Sequence, residues 1–309
     1  MNGSTRPKIP RRVLDGVLLL DKPLGLSSND ALIRAKKIYL AKKAGHTGTL
    51  DPLATGLLPL CFGEATKFSQ DLLEADKTYE ATMRLGVRTT TGDAEGEALQ
   101  TRDVTCNETA IHAAMAQFRG DIAQIPPMYS ALKRDGKPLY EYARAGQTVE
   151  REARNVTIHA LDLITCALPD VTFRVTCSKG TYVRTLAEDI GEKLGCGAHL
   201  VALRRTGVGA LTLEHAVTLD ALAEATPDTR DSWLQPVDAL LSTFPAVHLD
   251  ADATRRFTQG QRLKLSDIAD APAVADRVRV YAIDDQRLLG VARAGEGVLA
   301  PERLVVSAA

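Results

Sequence analysis

The 309-residue sequence predicts an α+β fold of mixed α/β character, with a largely antiparallel central sheet and a small β-rich module at the C-terminal end. Three observations carry that prediction. Strand-like and helix-like periods interleave without a regular βαβ rhythm, which argues against a doubly wound parallel sheet. Residues 156–167 and 171–178 read as paired strands, and the second alternates Val171, Phe173, Val175 and Cys177 with polar residues, as a half-buried strand requires. After Phe244-Pro245 the pattern changes to short alternating strands, 277–283 and 287–292, split by a turn at Asp284-Asp285.

Taken in order, residues 1–15 are expected to form a flexible basic tail, since Arg6, Lys8, Arg11 and Arg12 precede the first acid. The apolar run 16–20 reads as a buried strand stopped by Lys22-Pro23. Ser27 with Asp30 three residues on resembles a capping box, and Ala31, Leu32, Ala35 and Ile38 follow at helical spacing. Five cations (Arg34, Lys36, Lys37, Lys42 and Lys43) then occur without an acid, fitting either a wet helix face or phosphate contact. A helix is expected over 67–75, a strand over 78–87 and a turn over 89–97. Asn107 can cap a helix running to Phe118. Leu186, Ile190 and Leu194 mark one face of another helix, ended by Gly195. A return strand over 199–205, a short helix over 219–225 and a linker-like cluster over 226–232 complete the main domain, 16–240. The module covers 245–309.

Residues 124–154 read as an insertion with a short helix near Tyr140. Tyr129, Tyr140 and Tyr142 interleave there with Lys133, Arg134, Lys137, Arg144, Arg151 and Arg154, a composition suited to stacking on bases and pairing with phosphates. Overall charge is −1, so any nucleic-acid surface has to come from such local clustering. The five cysteines form no CxxC pair, which points to neither a zinc site nor a disulfide framework. No signal peptide or membrane-spanning run is legible, and a cytoplasmic location is expected.

The stretch from Gly45 to Pro59, GHTGTLDPLATGLLP, reads as a shaped loop, because Gly48, Pro52 and Gly56 break any long helix. Asp51 is the only acid between Asp30 and Glu64. On the residues alone it is either a turn device, with Pro52 at the first helical position, or a reactive group.

This stretch, together with GVLLLDKPLGLSS at 16–28, closely resembles the TruB family of tRNA pseudouridine synthases of the bacterial type, and the likeness extends along nearly the whole chain. The resemblance implies the pseudouridine synthase fold, a PUA-like RNA-binding module at the C-terminus, and isomerisation of the T-loop uridine of tRNA at position 55. It makes Asp51 the catalytic aspartate and Arg184 its partner. Tyr79 is implied to pack on the target base, with Tyr182 and Leu203 lining the uracil pocket and His46 beside the extruded nucleotide. Lys22-Pro23 would support the active-site loop. The implied partner is the tRNA T-arm, bound by a monomer without guide RNA, cofactor or metal. Three rivals stand beside this reading: an RNA-binding protein without catalysis, an RNA glycosidase that releases free base, and an RNA-guided relative acting inside a larger complex.

Overall fold

The computed structural model describes residues 10–272 and 275–306. Strand β1 (Gly16–Lys22) buries Val17 through Leu20, as a strand covered on both faces must. Helix α1 (Ser28–Ile38) starts where Ser27 accepts from Asp30 N at 3.1 Å. Two strands follow, β2 (Ala44–His46) and β3 (Ala54–Phe62), then the one-and-a-half-turn helix α2 (Ser69–Leu73). β4 (Lys77–Leu85) leads into a small hairpin of β5 (Val87–Thr89) and β6 (Ala98–Thr101). Next come α3 (Glu108–Ala116), capped by Asn107, and β7 (Gly120–Gln124). The insertion holds a hairpin, β8 (Lys133–Arg134) and β9 (Lys137–Pro138), and α4 (Leu139–Arg144). The chain returns through β10 (Arg154–Ala167), β11 (Asp170–Cys177), α5 (Val183–Lys193), β12 (Ala198–Val208) and β13 (Leu211–Thr212), and then α6 (Leu219–Glu224) and α7 (Pro227–Ser232).

The central sheet runs β1-β3-β12-β4-β11-β10-β7, with β2 beside β3 and β13 beside β12. Among the described strands of this sheet only β3 and β12 pair parallel, through Leu203↔Ala54, Arg204↔Thr55 and Arg205↔Gly56. The expected antiparallel character therefore holds, and the one parallel seam joins the Asp51 region to the second half of the domain. On one side Leu186, Ala187 and Ile190 of α5 pack on Ala81, Met83, Phe173 and Val175. Each large side chain removed from water there contributes about 2 kcal/mol. A second cluster seats Ala31 and Ala35 of α1, with its C-cap Tyr39, against Leu18, Leu58 and Phe62.

Three expectations need correction. The loop expected over 45–59 is shorter: Gly45 and His46 lie in β2, and Ala54 to Pro59 lie in β3, leaving 47–53 as the turn. Gly56 marks a close approach of two strands rather than a break, since a Cβ there would stand 2.3 Å from the Arg205 carbonyl oxygen. Residues 227–232 form helix α7 and not a linker. Thr226 caps it and Pro227 opens it, two start signals outweighed in the sequence by the turn-like composition. The tail expected over 1–15 lies outside the described residues up to position 9. From Arg12 onward it is tied down: Arg12 N donates to Leu40 O, and its guanidinium pairs with Asp231 of α7.

The C-terminal module contains β14 (Ala246–Leu249), α8 (Ala251–Thr258), β15 (Leu263–Lys264), β16 (Ala275–Ala282), β17 (Leu288–Gly295) and β18 (Val298–Leu304), in sheet order β14-β16-β17-β18-β15. It has its own core around Val247, Phe257, Val278 and Val280. Polar contacts fix it to the main domain: Arg277 pairs with Asp71, Tyr281 Oη donates to Asp238 at 2.6 Å, and Lys67 Nζ donates to Leu304 O at 2.9 Å.

Candidate active site

The 47–53 turn is pinned from several sides. Thr47 N donates to Pro59 O at 3.1 Å, and Ala54 N donates to Asp51 O at 3.0 Å. The buried Ser28 hydroxyl at the start of α1 donates to Leu50 O and accepts from Leu50 N, at 3.1 and 2.7 Å. Gly25 N donates to Pro52 O at 2.8 Å. The 23–26 turn that carries Gly25 is held by Lys22, whose fully buried Nζ donates to Pro23 O and Leu26 O at 2.9 and 2.6 Å. Burial pushes Lys22 down to about 8, with the Asp51 charge opposing. The Lys22-Pro23 pair thus braces the loop from below.

Arg184 projects from the first turn of α5 and is 5% exposed. Its Nη2 lies 2.9 Å from Asp51 and donates to Tyr129 O at 2.7 Å. Its Nη1 donates to Thr91 O at 3.0 Å and lies 3.6 Å from buried Asp93. Asp93 also accepts from Thr91 Oγ1 at 2.5 Å and from Glu95 N at 3.1 Å. One guanidinium fork therefore gathers the Asp51 turn, the 89–97 turn and the insertion, which an ammonium could not do. The Asp51 side chain stays 42% exposed.

That exposed carboxylate stands where two cavities meet. The first, about 260 Å³, is lined by Tyr79, Tyr182, Leu203, Lys77 and Arg205. The second, about 450 Å³, is lined by His46, Asp93, Tyr129, Tyr140 and Arg144. Asp51 and Arg184 border both. Of the residues singled out in the sequence, Asp51, Arg184, Tyr79, Tyr182 and Leu203 share the first cavity, and His46 faces the second. Tyr182 is fixed by Gln124, which accepts from its backbone N at 3.0 Å. Burial pushes both tyrosine hydroxyls up, and at Tyr79 the Arg205 charge opposes the shift. His46 is pushed down by burial and by Arg205, which favours the neutral imidazole.

Sequence reasoning missed four residues here: Ser28, Asp93, Lys77 and Arg205. Arg205 is 1% exposed and is the direct cross-strand partner of Tyr79. It donates to Leu57 O at 2.8 Å and to Gly48 O at 3.2 Å, tying the turn to β3. Lys77 is buried, donates to the carbonyls of Leu73 and Ala75, and is pushed down to about 8 by burial first and by Arg205 second. A signal for Lys77 existed: it stands in phase with Ala81, Met83 and Leu85 on the inward side of its strand.

The surface around the site is basic in patches. Arg34, Lys37, Lys42 and Lys43 are exposed in the 34–43 segment, and in the insertion Lys133, Arg134, Arg144 and Arg154 are exposed. Two of the insertion's aromatics already carry cations, Arg144 over Tyr140 and Lys137 over Tyr142. Among the described residues no cluster of three or more His, Cys, Asp or Glu could hold a metal ion, and no helix is long and apolar enough to cross a membrane.

Three family models match in succession: TruB family pseudouridylate synthase (N terminal domain) over 36–183, tRNA pseudouridylate synthase B C-terminal domain over 184–242, and Pseudouridine synthase II TruB, C-terminal, over 245–305. The chain is 79% identical to tRNA pseudouridine synthase B of Burkholderia mallei (strain ATCC 23344) over 308 residues, covering 99% of each. It is 66% identical to tRNA pseudouridine synthase B of Cupriavidus metallidurans over 310 residues, covering 98% of each. Among solved structures it is similar to a chain of an H/ACA RNP bound to a substrate RNA containing 2'-deoxyuridine, with a TM-score of 0.75 and 26% identity over 96% of this chain and 86% of that one. A chain of a Cbf5-Nop10-Gar1 complex matches with a TM-score of 0.73 and 28% identity, over 94% of this chain and 85% of that one.

Proposed function

This chain belongs to the TruB family of pseudouridine synthases, and from that membership we propose that it isomerises the T-loop uridine of tRNA, at position 55, with Asp51 as the catalytic carboxylate. The observation that carries the reading is the half-exposed Asp51, held 2.9 Å from a buried Arg184 at the mouth of a cavity walled by Tyr79, Tyr182 and Leu203.

The target base has to leave the T-loop stack to enter such a cavity, at a cost of a few kcal/mol. Basic residues of the insertion and of the 34–43 segment are placed to offset this through phosphate contacts. The Tyr79 face suits a flipped uracil. The C1′–N1 bond then breaks, with its electron pair going to the base. The base turns, C5 bonds to C1′, the C5 proton leaves and N1 gains one. Reactant and product have the same atoms, so the reaction consumes no cofactor. Asp51 acts by adding to C1′, by adding to the base or by taking a sugar proton, and Arg184 aims it in each case. The reading takes tRNA as the sole partner of a monomeric, cytoplasmic enzyme that needs no guide RNA or metal.

The test is incubation of the purified protein with an unmodified T-arm hairpin, without guide RNA and with a chelator, followed by mapping of pseudouridine. Product at the position-55 uridine is expected, and Asp51→Asn should bind the hairpin yet form none. Release of free uracil, a requirement for a guide RNA, or near-normal product from Asp51→Asn would overturn it.

A further inference from the structure

Four cations line the first cavity, and they are not equivalent: Lys179 is exposed and pairs with Glu74. Arg184 faces two carboxylates, Asp51 and Asp93, so its charge is already spoken for. Lys77 and Arg205 have no carboxylate within 4.0 Å among the described residues. Both are buried: Lys77 is held by the carbonyls of Leu73 and Ala75, and Arg205 by those of Leu57 and Gly48 and by a side-chain hydrogen bond with Tyr79. Burying a cation without an anion costs several kcal/mol per ion, and two such cations line one cavity. The pair nevertheless lies on adjacent strands, β4 and β12, with Tyr79 facing Arg205 across the ladder.

We propose that Lys77 and Arg205 form the wall that receives the negative charge of the departing uracil. This rests on the reading of the site given above. When C1′–N1 breaks heterolytically the electron pair goes to the base, whose charge spreads over N1 and the two carbonyl oxygens. A cavity with two preoriented cations that lack a carboxylate partner stabilises that charge where it develops, without reorganising at the moment of reaction. Reattachment through C5 discharges the base: C5 bonds to C1′, loses its proton, and N1 is protonated. The cations are therefore needed only between cleavage and reattachment. The Lys77 ammonium lines the cavity, and its two bonds to Leu73 O and Ala75 O leave one of its three protons for the base. Arg205, locked to Leu57 and Gly48, acts as a fixed charge behind Tyr79 and so as a positioning residue.

The experiment compares the full-length protein with Lys77→Met, Arg205→Met and Arg205→Lys in single-turnover assays on two T-arm hairpins. One carries uridine at the target and the other 5-fluorouridine, whose electron-withdrawing fluorine makes the base a better anionic leaving group. The rate read is disappearance of the target nucleoside. Lys77→Met is expected to slow the uridine substrate by about 100-fold, the usual effect of deleting one preorganised charge-stabilising donor. Hairpin affinity should be unchanged, and the loss should shrink to about tenfold or less on 5-fluorouridine. Arg205→Lys, which keeps the charge, should show the smaller loss on uridine and Arg205→Met the larger. Equal losses on the two substrates, or weakened hairpin binding with unimpaired chemistry, would overturn the inference. Asp51→Asn serves as the reference whose loss the fluorine does not relieve. If the unsubstituted protein forms no pseudouridine at all, the functional reading fails first, and the two failures are thereby separated.

Discussion

Asp51 and Asp93 are held by opposite amino groups of one arginine, Arg184, the first at 2.9 Å and the second at 3.6 Å. Asp51 is half exposed and Asp93 is 3% exposed, so the arginine joins a solvent-facing carboxylate to a buried one. Removing the arginine strands the buried partner. Arg184→Met is expected to cost about 3–5 kcal/mol in urea unfolding, the range for breaking a buried pair from one side. The double variant with Asp93→Asn should recover most of that stability and none of the activity, because Asp51 still lacks its guide. Recovery of turnover in the double variant would show that Arg184 acts through stability alone.

The hydroxyl of Ser28 satisfies both the N–H and the carbonyl of Leu50, the residue before Asp51. Ser28→Ala leaves two buried backbone groups without that partner, at a cost of about 1–3 kcal/mol. It also frees the turn to drift. A single-turnover rate reduced by about tenfold to a hundredfold, at unchanged hairpin affinity, is expected from a carboxylate misplaced by up to an ångström.

Lys22 and Lys77 are each lowered by burial to about 8. Between that value and the ordinary lysine value the unfolded chain keeps a proton that the folded chain has lost, so the two lysines add stability as pH rises through 8. The window closes near pH 9, where unfolded cysteines begin to ionise while buried Cys61 and Cys177, pushed up to about 12 and 11, do not. Unfolding free energy measured at pH 7.5 and 9.0 should therefore rise more in the unsubstituted protein than in a Lys22→Met, Lys77→Met double variant. Activity should move the opposite way, since neutral Lys77 has no charge to offer the base. A parallel rise of both quantities would contradict this.

Gly56 has φ of +97°, and an added Cβ would meet the Arg205 carbonyl oxygen at 2.3 Å. Gly56→Ala must therefore part β3 from β12 at the seam that carries both Arg205 and the end of the Asp51 turn. A loss of more than about 3 kcal/mol is expected, and with it most of the activity. Native-like stability by thermal or urea unfolding would show that the seam can open without harm.

The candidate cluster is legible chiefly through the TruB resemblance: on the residues alone Asp51, isolated in a glycine-rich turn, is a turn device or a reactive group, and only the resemblance assigns Arg184 as its partner. Lys77 was legible in principle, because period-two phasing puts it with Ala81 and Met83, but a lysine at a strand end is ordinarily read as solvent-facing. Arg205 could not be phased at all. Register shifts between Leu200 and Ala202 and between Arg205 and Gly207 reset the alternation of β12, so inward and outward positions cannot be counted along it. Asp93 sits in a turn whose composition looks solvated, and its burial comes from Arg184, nearly a hundred residues away in the chain. The 226–232 segment failed for a related reason: its helix is worth forming because Asp231 pairs with Arg12 and the Arg230 carbonyl accepts from Tyr39, partners that no local window contains.

The parallel seam between β3 and β12 also sets the order in which the molecule can become competent. Ala54 has to wait for Leu203, so a chain emerging from the ribosome holds its Asp51 turn unfinished until two thirds of its length has been made. Until then the β3 edge beside that turn is open. A truncated or stalled product ending before Arg205 would be an aggregation hazard rather than a slow enzyme.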